Sequence, residues 1–91
     1  MKGKRERLQV IYDILIAIDS KNGKIKPTHI MYKANLSHQM LNEYLKELIS
    51  KEFIEEKKSK LGKTYYITPK GINYLNEYKK VIDFMGAFGL D

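Results

Sequence analysis

Apolar residues return every three or four positions over most of this chain, and the places where that rhythm breaks divide it into elements. Over residues 5–18, Leu8, Ile11, Tyr12, Leu15 and Ile18 keep the helical repeat. Val10, Ile14, Ile16 and Ala17 fill most of the remaining circumference, leaving Gln9 and Asp13 to look outward. A helix apolar nearly all round is covered on several sides, so this one is expected to be the central strut, or to be partly covered by a second subunit. Ser20-Lys21-Asn22-Gly23 ends it, with Asn22 or Gly23 suited to the left-handed conformation that follows a helix. Lys24-Ile25-Lys26 alternates polar and apolar and predicts a short strand. Pro27 then opens a second helix where its missing N–H costs nothing, with Ile30, Met31 and Ala34 as a small apolar face.

After the turn at Asn35-Leu36, residues 37–51 repeat the helical pattern most clearly. Ser37 is placed as an N-cap whose hydroxyl accepts from first-turn N–H groups, and Leu41, Leu45 and Leu48 mark a buried face. At about 100° per residue, Gln39, Asn42, Glu43, Lys46 and Ser50 fall on the opposite side. The periodicity then changes. Residues 53–58 and 64–68 are rich in β-branched and aromatic positions and flank the polar link Ser59-Lys60-Leu61-Gly62-Lys63, which predicts a β-hairpin. Thr68 caps a last helix with Pro69 at its first position, predicted over residues 69–85. Leu75, Tyr78, Ile82 and Met85 form one stripe on it and Tyr74, Val81, Phe84 and Phe88 a second. The apolar arc spans roughly 200° where docking on one core needs about 100°. The excess points to a partner, most economically a second copy paired through Tyr74, Leu75, Tyr78, Val81, Ile82 and Met85. The two glycines after Met85 predict an end that frays unless Phe88 is pinned across the dimer.

Length and charge narrow the picture. Ninety-one residues make a single domain spanning 1–91, and no apolar run approaches the ~18 residues of a membrane span. The chain is read as mature, soluble and intracellular, with no membrane partner. No cysteine is present and the two histidines have no carboxylate cluster beside them, so no metal, cofactor or disulfide is expected. No nucleophile has a base partner and no glycine-rich loop could cradle a phosphate, so enzymatic activity is not expected. Seventeen Lys and Arg against eleven Asp and Glu give a net charge of +6, which favours an anionic partner. The lysines cluster: Lys57, Lys58, Lys60 and Lys63 at the hairpin tip, and Lys2, Lys4 and Arg5 at the amino terminus, with Arg7 just behind.

Helix, short strand, helix, helix, hairpin, helix is an α+β, mainly helical arrangement. Three pieces in that order carry a resemblance: Ile30-Met31-Tyr32-Lys33-Ala34-Asn35-Leu36-Ser37; Leu45-Lys46-Glu47-Leu48-Ile49 with Phe53-Ile54-Glu55; and Tyr65-Tyr66-Ile67-Thr68-Pro69-Lys70-Gly71. The chain resembles archaeal winged helix-turn-helix DNA-binding proteins and is similar to their small dimeric chromatin-associated group. The resemblance implies that residues 37–51 are the recognition helix, residues 57–63 the wing, and residues 75–85 the helix that pairs with its mate. The final helix is shorter than in the chromatin-type members.

Residue chemistry agrees with what the resemblance implies. Gln and Asn carry the paired donor and acceptor that match adenine in the major groove, so Gln39 and Asn42, flanked by Ser37, His38 and Lys46, are the candidate base contacts. The wing lysines and amino-terminal cations are the candidate phosphate contacts. Glu43 and Glu47 repel phosphate unless lysines such as Lys46 or Lys51 engage them. His38 lies at the border of the buried arc and is expected to pack or bond near the turn. Tyr65 and Tyr66 are expected in hairpin packing. Two functions stay open: a cytoplasmic, nucleoid-associated dimer that binds double-stranded DNA as regulator or architectural protein, and a winged-helix protein-interaction module within a larger complex.

Overall fold

The chain runs through α1 (Arg7–Ser20), α2 (Pro27–Ala34), α3 (His38–Ser50), β1 (Ile54–Ser59), β2 (Gly62–Ile67) and α4 (Pro69–Ala87). This is a computed structural model, which describes residues 6–60 and 62–90. The order is that of a winged helix-turn-helix. The charged positions Lys2, Lys4 and Arg5 lie outside the described residues.

Local chemistry sets most boundaries. Ser37 Oγ accepts from Met40 N–H at 3.1 Å at the start of α3, and Thr68 Oγ1 accepts from Gly71 N–H at 3.1 Å at the start of α4. Three helices end on a residue in the left-handed region: Asn35 (φ 55°), Glu52 (φ 65°) and Gly89 (φ 69°). Each end closes with the same pair of backbone bonds. After α3, Phe53 N–H reaches Leu48 O at 2.9 Å and Glu52 N–H reaches Ile49 O at 3.0 Å. After α4, Leu90 N–H bonds Met85 O at 2.8 Å and Gly89 N–H bonds Gly86 O at 3.2 Å, so the expected frayed end is a closed cap, and α4 runs through Gly86 to Ala87.

The core is built around α1, whose Ile14, Leu15 and Ile18 are fully enclosed. Ile30 and Ala34 of α2, Leu41, Leu45 and Leu48 of α3, Ile54, Tyr65 and Ile67 of the hairpin, and Leu75 of α4 close around them. Burying each of the larger side chains contributes about 1.5–3 kcal/mol. α1 is buried on several sides, as its pattern implies, but not all round. Leu8 is 50% exposed and Ile16 43%, whereas Gln9 and Asp13 are half-buried and joined by a 3.0 Å bond. α2, β2 and α4 pack on α1 over a limited arc that leaves the Leu8 and Ile16 side chains partly open.

The strand expected at Lys24-Ile25-Lys26 is reduced to one bridge, between Ile25 and Tyr65. The loop is nevertheless stitched to β2: Gly23 N–H donates to Tyr65 O at 2.8 Å, and Asn22 Oδ1 accepts from Ile67 N–H at 2.8 Å. Gly23 is required here, with φ 81° and the Tyr66 ring so close that a Cβ would lie 2.5 Å from it. The sheet itself is the antiparallel pair β1–β2, in register from Ile54 opposite Ile67 to Ser59 opposite Gly62. The expected five-residue link is therefore shorter: Ser59, Gly62 and Lys63 belong to strands.

Candidate nucleic-acid interface

With Leu41, Leu45 and Leu48 turned into the core, α3 presents His38, Gln39, Asn42, Glu43 and Lys46 to solvent, and Ser37 beside them is exposed. The two amides are already aimed by neighbours one turn away. Gln39 Nε2 lies 3.5 Å from Glu43 Oε2, and Asn42 Nδ2 lies 3.3 Å from His38 Nδ1. Each NH2 keeps a second hydrogen and each amide keeps its oxygen, so the donor–acceptor pair that matches adenine stays available. His38 does bond near the turn, through Asn42, but it is exposed and not packed.

The acids of this helix are engaged. Glu43 holds Gln39, while Glu47 bonds Arg7 of α1 and receives Lys51 Nζ at 3.0 Å. The hydrogen bond from Arg7, followed by that from Lys51, holds the Glu47 carboxyl below the usual carboxylate range; the same bond to Glu47 raises Arg7. The Arg7 guanidinium also sits 5.8 Å from the centre of the Tyr44 ring. This cluster joins residues 40 positions apart, and periodicity within one helix holds no sign of it.

On the hairpin, Lys57, Lys58, Lys60 and Lys63 are all exposed. Lys58 and Lys63 stand directly opposite each other, and Lys60 occupies the tip. Lys63 Nζ meets Glu56 Oε2 at 3.2 Å, and Lys57 Nζ lies 5.6 Å from the centre of the Tyr66 ring. Tyr66 covers Gly23 and Tyr65 is buried, both in hairpin packing; burial, then the nearby Glu56 charge, pushes the Tyr65 phenol up. Among the described residues Lys58 and Lys60 form no ion pair, so the tip is the most cationic part of the hairpin.

The stripe expected to pair two copies divides in the structure. Leu75, 7% exposed, belongs to the chain's own core, which removes it from any surface open to a second copy. Tyr74 and Tyr78 tie α4 to α1: the Tyr74 hydroxyl donates to Leu8 O at 2.8 Å, the Tyr74 and Tyr78 rings stack at 5.9 Å, and Tyr78 meets Tyr12 at 5.1 Å. Burial, with Tyr78 adding to it, pushes the Tyr74 phenol up to about 12. Farther along, Val81 is exposed and Ile82 and Met85 are half-buried. Phe84, Phe88 and Leu90 are 59%, 66% and 68% exposed, forming an apolar end on a cationic protein. No described helix is long and apolar enough to cross a membrane.

A capped helix with an outward polar face, preceded by a tight turn from α2 and flanked by a lysine-tipped hairpin, defines the winged helix-turn-helix class. The chain belongs to the winged helix-turn-helix family, whose model matches residues 4–86. It is similar to protein MJ0290 of the archaeon Methanocaldococcus jannaschii, 37% identical over 78 residues, 86% of this chain and 34% of that protein. It thus spans about a third of that relative's length. Its fold is similar to that of Sso10a-2, a DNA-binding protein from Sulfolobus solfataricus, at a TM-score of 0.80 and 23% identity over 92% of this chain and 85% of that one. The Streptococcus pneumoniae protein FabT, solved in complex with DNA, matches at a TM-score of 0.71 and 17% identity, over 100% of this chain and 64% of that one.

Proposed function

We propose that this chain binds double-stranded DNA as a homodimer, with α3 in the major groove and the hairpin against the phosphate backbone. It serves as a transcriptional regulator or a chromatin-type architectural protein, cytoplasmic and associated with the nucleoid, and acts by binding without catalysis or cofactor. One observation carries the reading: the exposed face of α3 holds Gln39, Asn42 and Lys46 while its acids are held by neighbouring side chains, and the lysine-tipped hairpin follows it in the chain. Fold neighbours that bind DNA support it. Lysines 57, 58, 60 and 63 neutralise phosphates and release counterions, a contribution indifferent to sequence; Gln39 and Asn42 add base discrimination of about 1–3 kcal/mol for each bidentate pair. The apolar end of α4, with Val81, Phe84 and Phe88 exposed, supports pairing of two copies, and a two-fold dimer would set its recognition helices about 34–36 Å apart.

The test is a titration of random-sequence duplex at 50 and 200 mM salt. Affinity should fall by about 10³-fold or more if six or more phosphates are contacted in the dimer. Lys60→Ala with Lys63→Ala should weaken every duplex alike and flatten that dependence. No binding at the lower salt would leave the interaction-module reading in its place.

A further inference from the structure

A base-reading helix about 10–12 Å across nearly fills a major groove about 12 Å wide, so its two flanks approach the phosphates of opposite strands. On α3, Ile49 lies on the flank turned to the hairpin, where it shares a groove with Ile54, Glu55 and Glu56. At about 100° per residue, Tyr44, Glu47 and Lys51 fall on the other flank. The wing cannot serve that side. What stands there is Arg7, bonded to Glu47 and lying over Tyr44, with Lys51 on the same carboxylate. The arrangement is layered: Arg7 and Lys51 are 54% and 57% exposed, whereas Glu47 beneath them is 25% exposed. Two cations stand over one sheltered anion, and Glu43, which borders the same hollow, is turned to the Gln39 amide. The Arg7 fork, held in place by the carboxylate and the ring, keeps N–H donors free for an anion.

We propose that Arg7 and Lys51 form a second phosphodiester clamp, on the flank of α3 opposite the wing, with Glu47 as the positioning residue that holds both cations toward the backbone. The inference rests on the DNA-binding reading above and assigns contacts on the side that the hairpin cannot reach. It reverses the simple expectation for Glu47. An acid beside a DNA-reading helix repels phosphate, so its neutralisation should tighten binding; an acid that aims two cations should, when neutralised, weaken it.

The test is fluorescence anisotropy of labelled duplex with wild type and Glu47→Gln at 50, 100 and 200 mM salt. One lost contact in each protomer, each releasing about 0.9 counterion, should raise Kd about eightfold per protomer near 0.1 M salt and flatten the log–log salt slope by about 1 per protomer. Arg7→Met and Lys51→Met approach the same readout from the cations. A duplex with neutral methylphosphonates at the clamped positions should erase the difference between Glu47→Gln and wild type. Tighter or equal binding by Glu47→Gln with the wild-type slope overturns the clamp and leaves the DNA reading standing, as does a lowered Tm with binding unchanged. Failure of the wild type to bind duplex at 50 mM salt removes both.

Discussion

The approach of α4 to the base of the hairpin depends on one glycine, and replacing it puts a number on that contact. Gly71 is buried in the first turn of α4, where an added Cβ would lie 2.4 Å from Phe53 O and 2.6 Å from Ile67 Cγ1. The oxygen cannot easily retreat. It accepts from Thr68 N–H at 3.1 Å and from Thr68 Oγ1 at 3.0 Å, so moving it disturbs both bonds. Overpacking of this kind costs about 1–3 kcal/mol, and each strained hydrogen bond is worth about 0.5–1.5 kcal/mol. Alanine's better helix propensity returns at most about 1 kcal/mol, and less in a first turn. Gly71→Ala should therefore lose about 1–2 kcal/mol. At about 4–8 °C per kcal/mol for a domain of this size, Tm should drop by about 5–15 °C. Thermal unfolding followed by circular dichroism measures it. A Tm equal to or above wild type would refute the reasoning, because it would mean that the hairpin and α4 are not held at this separation.

Two further outcomes follow from α4. The raised Tyr74 phenol favours the protonated side chain in the fold, so its stability contribution is complete below the ordinary tyrosine value of 10.0 and is lost as pH rises through about 12. Tm measured from pH 9 to 12 should fall, and Tyr74→Phe should fall less steeply while starting lower for want of the bond to Leu8 O; parallel curves would exclude Tyr74 as a source. In sedimentation velocity at micromolar concentration the wild type should run as a dimer and Val81→Glu with Phe84→Glu as a folded monomer, since both side chains are exposed within one chain. A wild-type monomer would contradict the pairing.

Where chemistry is local, the sequence was readable. Ser37 and Thr68 cap the helices they were expected to cap, Pro27 and Pro69 open theirs, and the leucines of α3 face the core. Asn35 and Gly89 belong to residue types that accept positive φ, but Glu52 does not, and nothing in its identity announces the same conformation at the end of α3. The strands run closer to the hairpin tip than expected because Ser59, Gly62 and Lys63 have weak strand preference, yet cross-strand pairing carries them along. The width of the apolar arc on α4 does not say what covers each part of it. Leu75 is taken by the chain's own core and Tyr74 and Tyr78 by α1, while Phe84 and Phe88 are left outside. The Arg7–Glu47 contact was beyond reach for another reason, since the shared core must bring α1 and α3 together before the two charges meet.

The central claim is that α3 and the hairpin tip face DNA together. A titration of isotope-labelled protein with a duplex of about 20 base pairs, followed by two-dimensional NMR, tests it most directly. The account predicts progressive shifts in the side-chain amides of Gln39 and Asn42 and in the backbone amides around Lys46 and Lys60, with the enclosed residues Ile14 and Leu15 little changed. Shifts confined to the exposed end of α4, with Gln39, Asn42 and Lys60 unmoved at saturating duplex, would contradict it.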